Sequence, residues 1–122
     1  MEIKFFIGPM SKNIVDSIIE FQTESKNKVG LIPSRRQVDY KGGYSNNWTT
    51  KGLSNYAKDL IIMRDHSGPG QGQKPDDGYE SLKHDCNHFD CQILLDFFIL
   101  LHLLLRLCGG WLLSFLLLMK PS

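Results

Sequence analysis

The apolar positions fall into three short blocks, each followed by a longer polar or helical stretch. Ile3-Lys4-Phe5-Phe6-Ile7 is a β-prone run closed by Gly8-Pro9, and it predicts a buried strand ended by a turn. Ser11 is a suitable N-cap for the next stretch. There Ile14, Ile18 and Phe21 recur at helical spacing, with Val15 and Ile19 beside them and Asp16, Glu20 and Glu24 on the other side. This pattern predicts an amphipathic helix of about three turns. Val29-Gly30-Leu31-Ile32-Pro33 predicts a second strand, and a polar segment with Gly42-Gly43 inside it runs from Ser34 to Trp48. Thr49 or Thr50 can cap a second helix over Leu53–Asp59, which Gly52 weakens by about 1 kcal/mol relative to alanine.

A third apolar run, Leu60-Ile61-Ile62-Met63, ends in Arg64-Asp65-His66. A loop rich in glycine and proline follows, from Gly68 to Gly78. Asp77 with Glu80 three residues on has the form of a capping box, and a short helix over Tyr79–Asn87 is expected. A fourth strand would begin near Phe89. Strand alternating with helix predicts a parallel α/β sheet, and apolar runs without alternation fit strands covered on both faces. In such folds the strand C-terminal ends carry the chemistry.

Composition changes this picture at one point. Residues 1–91 hold 12 of the 14 Lys and Arg and 12 of the 13 Asp and Glu, so their formal charge is zero. That balance argues against a nucleic-acid surface. Residues 92–122 carry only Asp96, Arg106 and Lys120 as charged groups, and 13 of these 31 residues are leucine. The chain therefore divides into residues 1–90, an α/β unit, and residues 91–122, a hydrophobic tail. Three cysteines, an odd number, and an N-terminus without a secretory leader point to a reducing, cytoplasmic setting.

Polar residues gather after each predicted strand. Gly8-Pro9-Met10-Ser11 follows the first, Ser34-Arg35-Arg36-Gln37 the second, and Asp65-His66 the third. On parallel strands all three groups share one rim. Asp65 could move a proton next to a carbonyl, and His66 could ligate a metal. Strand pleating points neighbours apart, so the two can act together only where the strand stops. Gly68, Gly70 and Gly72 could turn backbone N–H groups toward an anion, and Arg35 and Arg36 could add planar donor forks for phosphate. A capping or solvated-loop role is the simpler reading of each residue taken alone. His84, Cys86, His88 and Cys91 form a compact cluster that could hold zinc, although the spacing fits none of the usual structural zinc patterns.

Asp65-His66-Ser67-Gly68-Pro69 is similar to an Asp-His-x-Gly-Pro stretch after the third strand of the tagatose-bisphosphate aldolase accessory-subunit family, relatives of class II aldolases. Gln37-Val38 followed by Gly42-Gly43-Tyr44, and the threonines that open the second helix, resemble the same family. Residues 1–90 thus resemble its N-terminal part. The resemblance implies a (β/α)₈ barrel of which only the first three β-α units are present, since a whole barrel needs about 200 residues or more. It also implies a phosphorylated sugar or related metabolite as ligand, and a role in support of a catalytic aldolase subunit. In class II aldolases an Asp-His pair at this strand supplies a proton-transfer carboxylate and a zinc ligand. Asp65 and His66 match it, while the other zinc ligands sit on later strands. A divalent metal is therefore expected in an intact relative and none with this chain alone.

The family pattern stops near Phe89. Phe97 to Leu118 is 22 residues, about 33 Å as a helix, against a bilayer core of about 30 Å. Fifteen of these are Leu, Ile or Phe, worth roughly −7 kcal/mol on an insertion scale, and Arg106 takes back about 3. A single-pass anchor is thus marginally favourable, and it makes a membrane-anchored interaction protein the alternative reading. The preferred one is a truncated or frame-shifted barrel protein without catalysis of its own, since a frame shift through T-rich coding DNA yields Leu and Phe in abundance. On either reading the α/β unit keeps open sheet edges and an uncovered apolar face.

Overall fold

The computed structural model describes residues 3–90, which form a small parallel α/β unit. The tail, with the expected single-pass segment over 97–118, and Cys91 of the His/Cys cluster lie outside the described residues. Among the described residues no helix is long and apolar enough to cross a membrane.

β1 spans Ile3–Ile7, as its apolar run predicts, and β2 spans Lys28–Leu31. They pair in parallel with Phe5 opposite Val29 and Ile7 opposite Leu31. Gly30 is required at its place, because a Cβ there would stand 2.4 Å from the Phe6 ring and 3.0 Å from the Ile61 carbonyl. α1, Lys12–Glu24, connects the two strands. Ser11 occupies its N-cap but makes no side-chain cap bond. Val15 and Ile18 are its buried residues, whereas Phe21 stays 44% exposed, so the core stripe is narrower than the sequence periodicity implies.

The third predicted strand lies beside β2 in the expected place without becoming a regular strand. Leu31 donates to the Ile61 carbonyl at 2.8 Å and accepts from Met63 N–H at 2.9 Å, and Asp65 N–H reaches the Pro33 carbonyl at 3.0 Å. The parallel ladder would next need an N–H from residue 33, and proline has none. The pairing is thereby reduced to two isolated bridges, Leu31 with Ile62 and Ser34 with Asp65. On its far side Ile62 is held by Asp90, which donates its own N–H to the Ile62 carbonyl at 3.0 Å and accepts the Ile62 N–H on its carboxylate at 2.8 Å.

α2, Thr50–Tyr56, starts earlier than the apolar pattern suggests. Thr49 Oγ1 accepts the Gly52 N–H at 3.0 Å, which places Gly52 in the first turn, where its helix penalty is small. α3 runs Tyr79–His88. Its N-cap is Gly78 (φ 76°), not Asp77; the Asp77 carboxylate instead accepts the Tyr79 N–H at 3.0 Å. α2 packs against α3, and Ser54 Oγ donates to the His88 carbonyl at 2.7 Å. One core joins these elements: Val15 and Ile18 from α1, Val29 and Leu31 from β2, Leu53 and Ala57 around α2, then Leu60, Ile62 and Phe89, with Val38 and Trp48 from the long loop.

The two strands are not equally covered. Phe5 is 68% and Ile7 40% exposed, so β1 is not the doubly covered strand that its unbroken apolar run suggests.

Candidate functional site

The three polar groups that follow the parallel segments meet at one rim. Ser34 bridges to Asp65, and Ile32 N–H reaches the Ile7 carbonyl at 3.0 Å, which aligns the segment ends. Gln37 joins the first two groups. Its side-chain oxygen accepts the Ser34 N–H at 2.8 Å, and its amide nitrogen donates to Met10 Sδ at 3.0 Å. Tyr44 Oη donates to the same sulfur at 3.4 Å. A tight reversal holds Tyr44 there. Gly42 has φ 97°, and a Cβ on Gly43 would sit 2.1 Å from the Gln37 carbonyl oxygen. The pairing of Tyr44 N–H with the Arg36 carbonyl and of Ser45 N–H with the Gln37 carbonyl, both at 3.0 Å, needs that close approach.

Asp65 and His66 close the rim on the other side. His66 lies in the left-handed region (φ 50°), so the pleat ends at Asp65 and the imidazole turns back. His66 Nε2 lies 3.3 Å from Asp65 Oδ1, with side-chain exposures of 71% and 44%. A backbone turn thus lets two adjacent residues act on the same side. A left-handed non-glycine residue at a polar strand end is a costly conformation of the kind found at functional sites. The next residue, Ser67, carries a buried hydroxyl without a hydrogen-bond partner among the described residues.

The two arginines part company. Arg36 is exposed at the rim. Arg35 is 1% exposed, and the protein itself takes up its fork. Nε donates to Asp39 at 3.0 Å, Nη1 to the Gly68 carbonyl at 2.8 Å and to Asp76 at 2.9 Å, and Nη2 contacts both carboxylates. A guanidinium has five N–H donors, and these contacts occupy them. The Asp76 carboxylate beside Arg35 is held below the usual range, mainly by that hydrogen bond, and the Arg35 pKa is raised in turn. The arginine serves as a buried post for the glycine-rich loop, in place of the phosphate contact its sequence position suggests.

The glycines of that loop also serve the chain. Gly70 N–H donates to the Asp76 carbonyl at 3.0 Å and Gln71 N–H to the Gly68 carbonyl at 3.3 Å, so these amides turn inward and do not form an anion cradle. Gly72 is buried, with a Cβ position only 2.9 Å from Arg35 Nη2. Gly68 supplies the carbonyl that Arg35 grips.

A second buried arginine, Arg64, was legible in the sequence only as part of a polar strand end. Asp85 holds it bidentately, at 2.9 Å to Nε and 2.7 Å to Nη2, and Nη1 donates to the Val38 carbonyl at 2.6 Å and the Pro33 carbonyl at 3.2 Å. Both side chains are fully buried. Burial pushes the Asp85 carboxyl up, and Arg64 opposes the shift. This pair ties the floor of the rim loop to α3, and the Arg64 guanidinium lies 5.0 Å over the Phe89 ring.

His84 and His88 share a face of α3, with ring centroids 6.1 Å apart, and His84 stacks on Tyr40 at 5.3 Å. Burial, with His84 and Lys51 nearby, pushes the His88 pKa down. Cys86 is exposed. Among the described residues no three His, Cys, Asp or Glu side chains come together to hold a metal ion.

No family model, no curated protein and no solved structure matches the chain.

Proposed function

We propose that residues 1–90 are the opening units of a (β/α)₈-type barrel whose rim binds a phosphorylated sugar, and that the chain supports sugar-phosphate chemistry without completing it alone. The observation that carries this reading is the Ser34–Asp65 bridge, which sets Ser34, Gln37, Asp65 and His66 at the shared C-terminal end of parallel segments. Arg36, exposed beside them, is the cation for the phosphate. Phe5 and Ile7 are exposed although their partners Val29 and Leu31 are buried, so the free side of β1 is an edge against which a further strand and helix of a barrel would pack.

Asp65 and His66 take the roles that the resemblance to class II aldolases implies, a proton-transferring carboxylate and one ligand of a divalent metal such as zinc. A single imidazole does not complete a zinc site, which takes three or four protein ligands. The function assigned to this chain is therefore binding, in partnership with a catalytic aldolase-type subunit, in the cytoplasm. Titration of the full chain in non-ionic detergent with fructose 6-phosphate tests the reading. Saturable binding that Arg36→Ala weakens about tenfold supports it, and no binding at millimolar ligand defeats it.

A membrane-anchored interaction protein is the second reading. It is favoured by the Phe97–Leu118 run and by no feature of the described residues. Flotation of the expressed chain with lipid vesicles tests it.

A further inference from the structure

The sugar-binding reading leaves Met10 and Tyr44 without a role, although both stand open at the rim. Met10 is 57% and Tyr44 54% exposed, and their side chains touch through the hydroxyl and the sulfur. Two large apolar groups held together at the end of a parallel sheet form a wall.

Gln37 lies against that wall in a constrained state. The residue is 7% exposed. Its oxygen is fixed by the Ser34 N–H, so the NH₂ group points toward Met10 and the orientation of the amide is settled by its partners. One N–H goes to a thioether, a weak acceptor. The amide carries a second N–H, and among the described residues Met10 Sδ is the one acceptor that Nε2 meets. A buried donor in this condition gains from an oxygen brought by a ligand. Space beside it depends on Gly8, since a Cβ there would come within 3.2 Å of Gln37 Nε2.

We infer that Gln37 Nε2, Met10 and Tyr44 form the subsite for the sugar itself, distinct from the phosphate contact at Arg36. The amide donates to a hydroxyl or carbonyl oxygen of the sugar. The Tyr44 ring lies against the C–H face, whose partial positive charge suits the negative face of an aromatic ring. Met10 fills the gap between them with a polarizable, adaptable side chain. The ligand class is a phosphorylated polyhydroxy compound of three to six carbons, and inorganic phosphate alone would use only Arg36. This inference rests on the proposed function.

The experiment measures binding of fructose 6-phosphate and of inorganic phosphate to the full chain in non-ionic detergent, by calorimetry. The variants are Tyr44→Ala, Gln37→Glu, Gly8→Ala and Arg36→Ala. Tyr44 is exposed, so its truncation spares the core, and Gln37→Glu keeps the oxygen that Ser34 needs while removing the NH₂ donor. The expected result is at least tenfold tighter binding of the sugar phosphate than of phosphate. Tyr44→Ala, Gln37→Glu and Gly8→Ala should each remove most of that preference, and Tyr44→Ala and Gly8→Ala should leave phosphate binding unchanged. If these three variants retain the preference while Arg36→Ala weakens binding about tenfold, the subsite is refuted and the phosphosugar reading stands. Failure of fructose 6-phosphate to bind the unaltered chain overturns both.

Discussion

Asp85→Ala should be among the most damaging single substitutions in the described residues. Asp85 is wholly buried and accepts two charge-assisted hydrogen bonds from Arg64, at 2.9 and 2.7 Å. Arg64 is itself 4% exposed and cannot return to water without opening the loop over Val38. Removing one partner of such a pair leaves an uncompensated buried charge, which costs about 3 to 5 kcal/mol. A domain of this size has about 5 to 15 kcal/mol in hand at most, so the loss is a large fraction of the total. Replacing both partners together, Arg64→Met with Asp85→Leu, removes the stranded charge but deprives the Val38 and Pro33 carbonyls of a donor, about 1 to 3 kcal/mol. The double variant should therefore be no less stable than Asp85→Ala alone, with a coupling energy of about 2 to 3 kcal/mol. The assay is urea unfolding of the full chain in non-ionic detergent, in a Trp111→Phe background so that buried Trp48 alone reports. A loss below about 1 kcal/mol for Asp85→Ala, or simple additivity in the double variant, would refute this account of the pair.

Other consequences can be checked in the same background. Gly43→Ala should destabilise by about 2 kcal/mol or more, because its Cβ would stand 2.1 Å from a backbone oxygen that cannot give way cheaply. Gly70→Ala, with φ 70° and nothing within 4 Å, should cost only the left-handed penalty of about 1 to 2 kcal/mol by the same denaturation assay. Asp76 is held below its ordinary value of 3.8 by Arg35, so its stabilisation is complete above that pH and is lost as pH falls through the lower folded value. Protease cleavage of the 68–78 loop should accelerate in that acid window, and Asp76→Asn should be labile at every pH. Asp85 works in the opposite sense. Its raised folded pKa means that stability falls as pH rises from 3.8 through the raised value, a trend that unfolding of Asp85→Asn should lack. Arg35→Ala should lower the unfolding midpoint strongly, while Arg36→Ala should leave it unchanged.

Elements whose signal is local were legible in the chain. The Ile3–Ile7 run is β1 from end to end, and α3 starts at Tyr79 as expected, although Gly78 and not Asp77 caps it. Thr49 acts as a cap because a hydroxyl two or three residues before free N–H groups needs no tertiary help. What depends on partners was not legible. The third strand loses its ladder because Pro33 sits in the neighbouring segment, a conflict visible only once the two are adjacent. Arg35 and Arg36 look alike in sequence, and only the positions of Asp39 and Asp76 decide that one is a buried post and the other an exposed cation. Met10 and Tyr44 lie 34 residues apart, and only the Gly42-Gly43 reversal hinted that Tyr44 would be turned toward the rim. The His66 turn likewise resolved an objection that pleating raises against any adjacent pair.

The most direct test is a residue-resolved titration of the ¹⁵N-labelled full chain in detergent with fructose 6-phosphate, followed by backbone amide shifts. The account predicts saturable shifts at residues 34–37 and 65–67, and none on the outer face of α1. Absence of saturable shifts at millimolar ligand, or shifts confined to residues away from this rim, would contradict it.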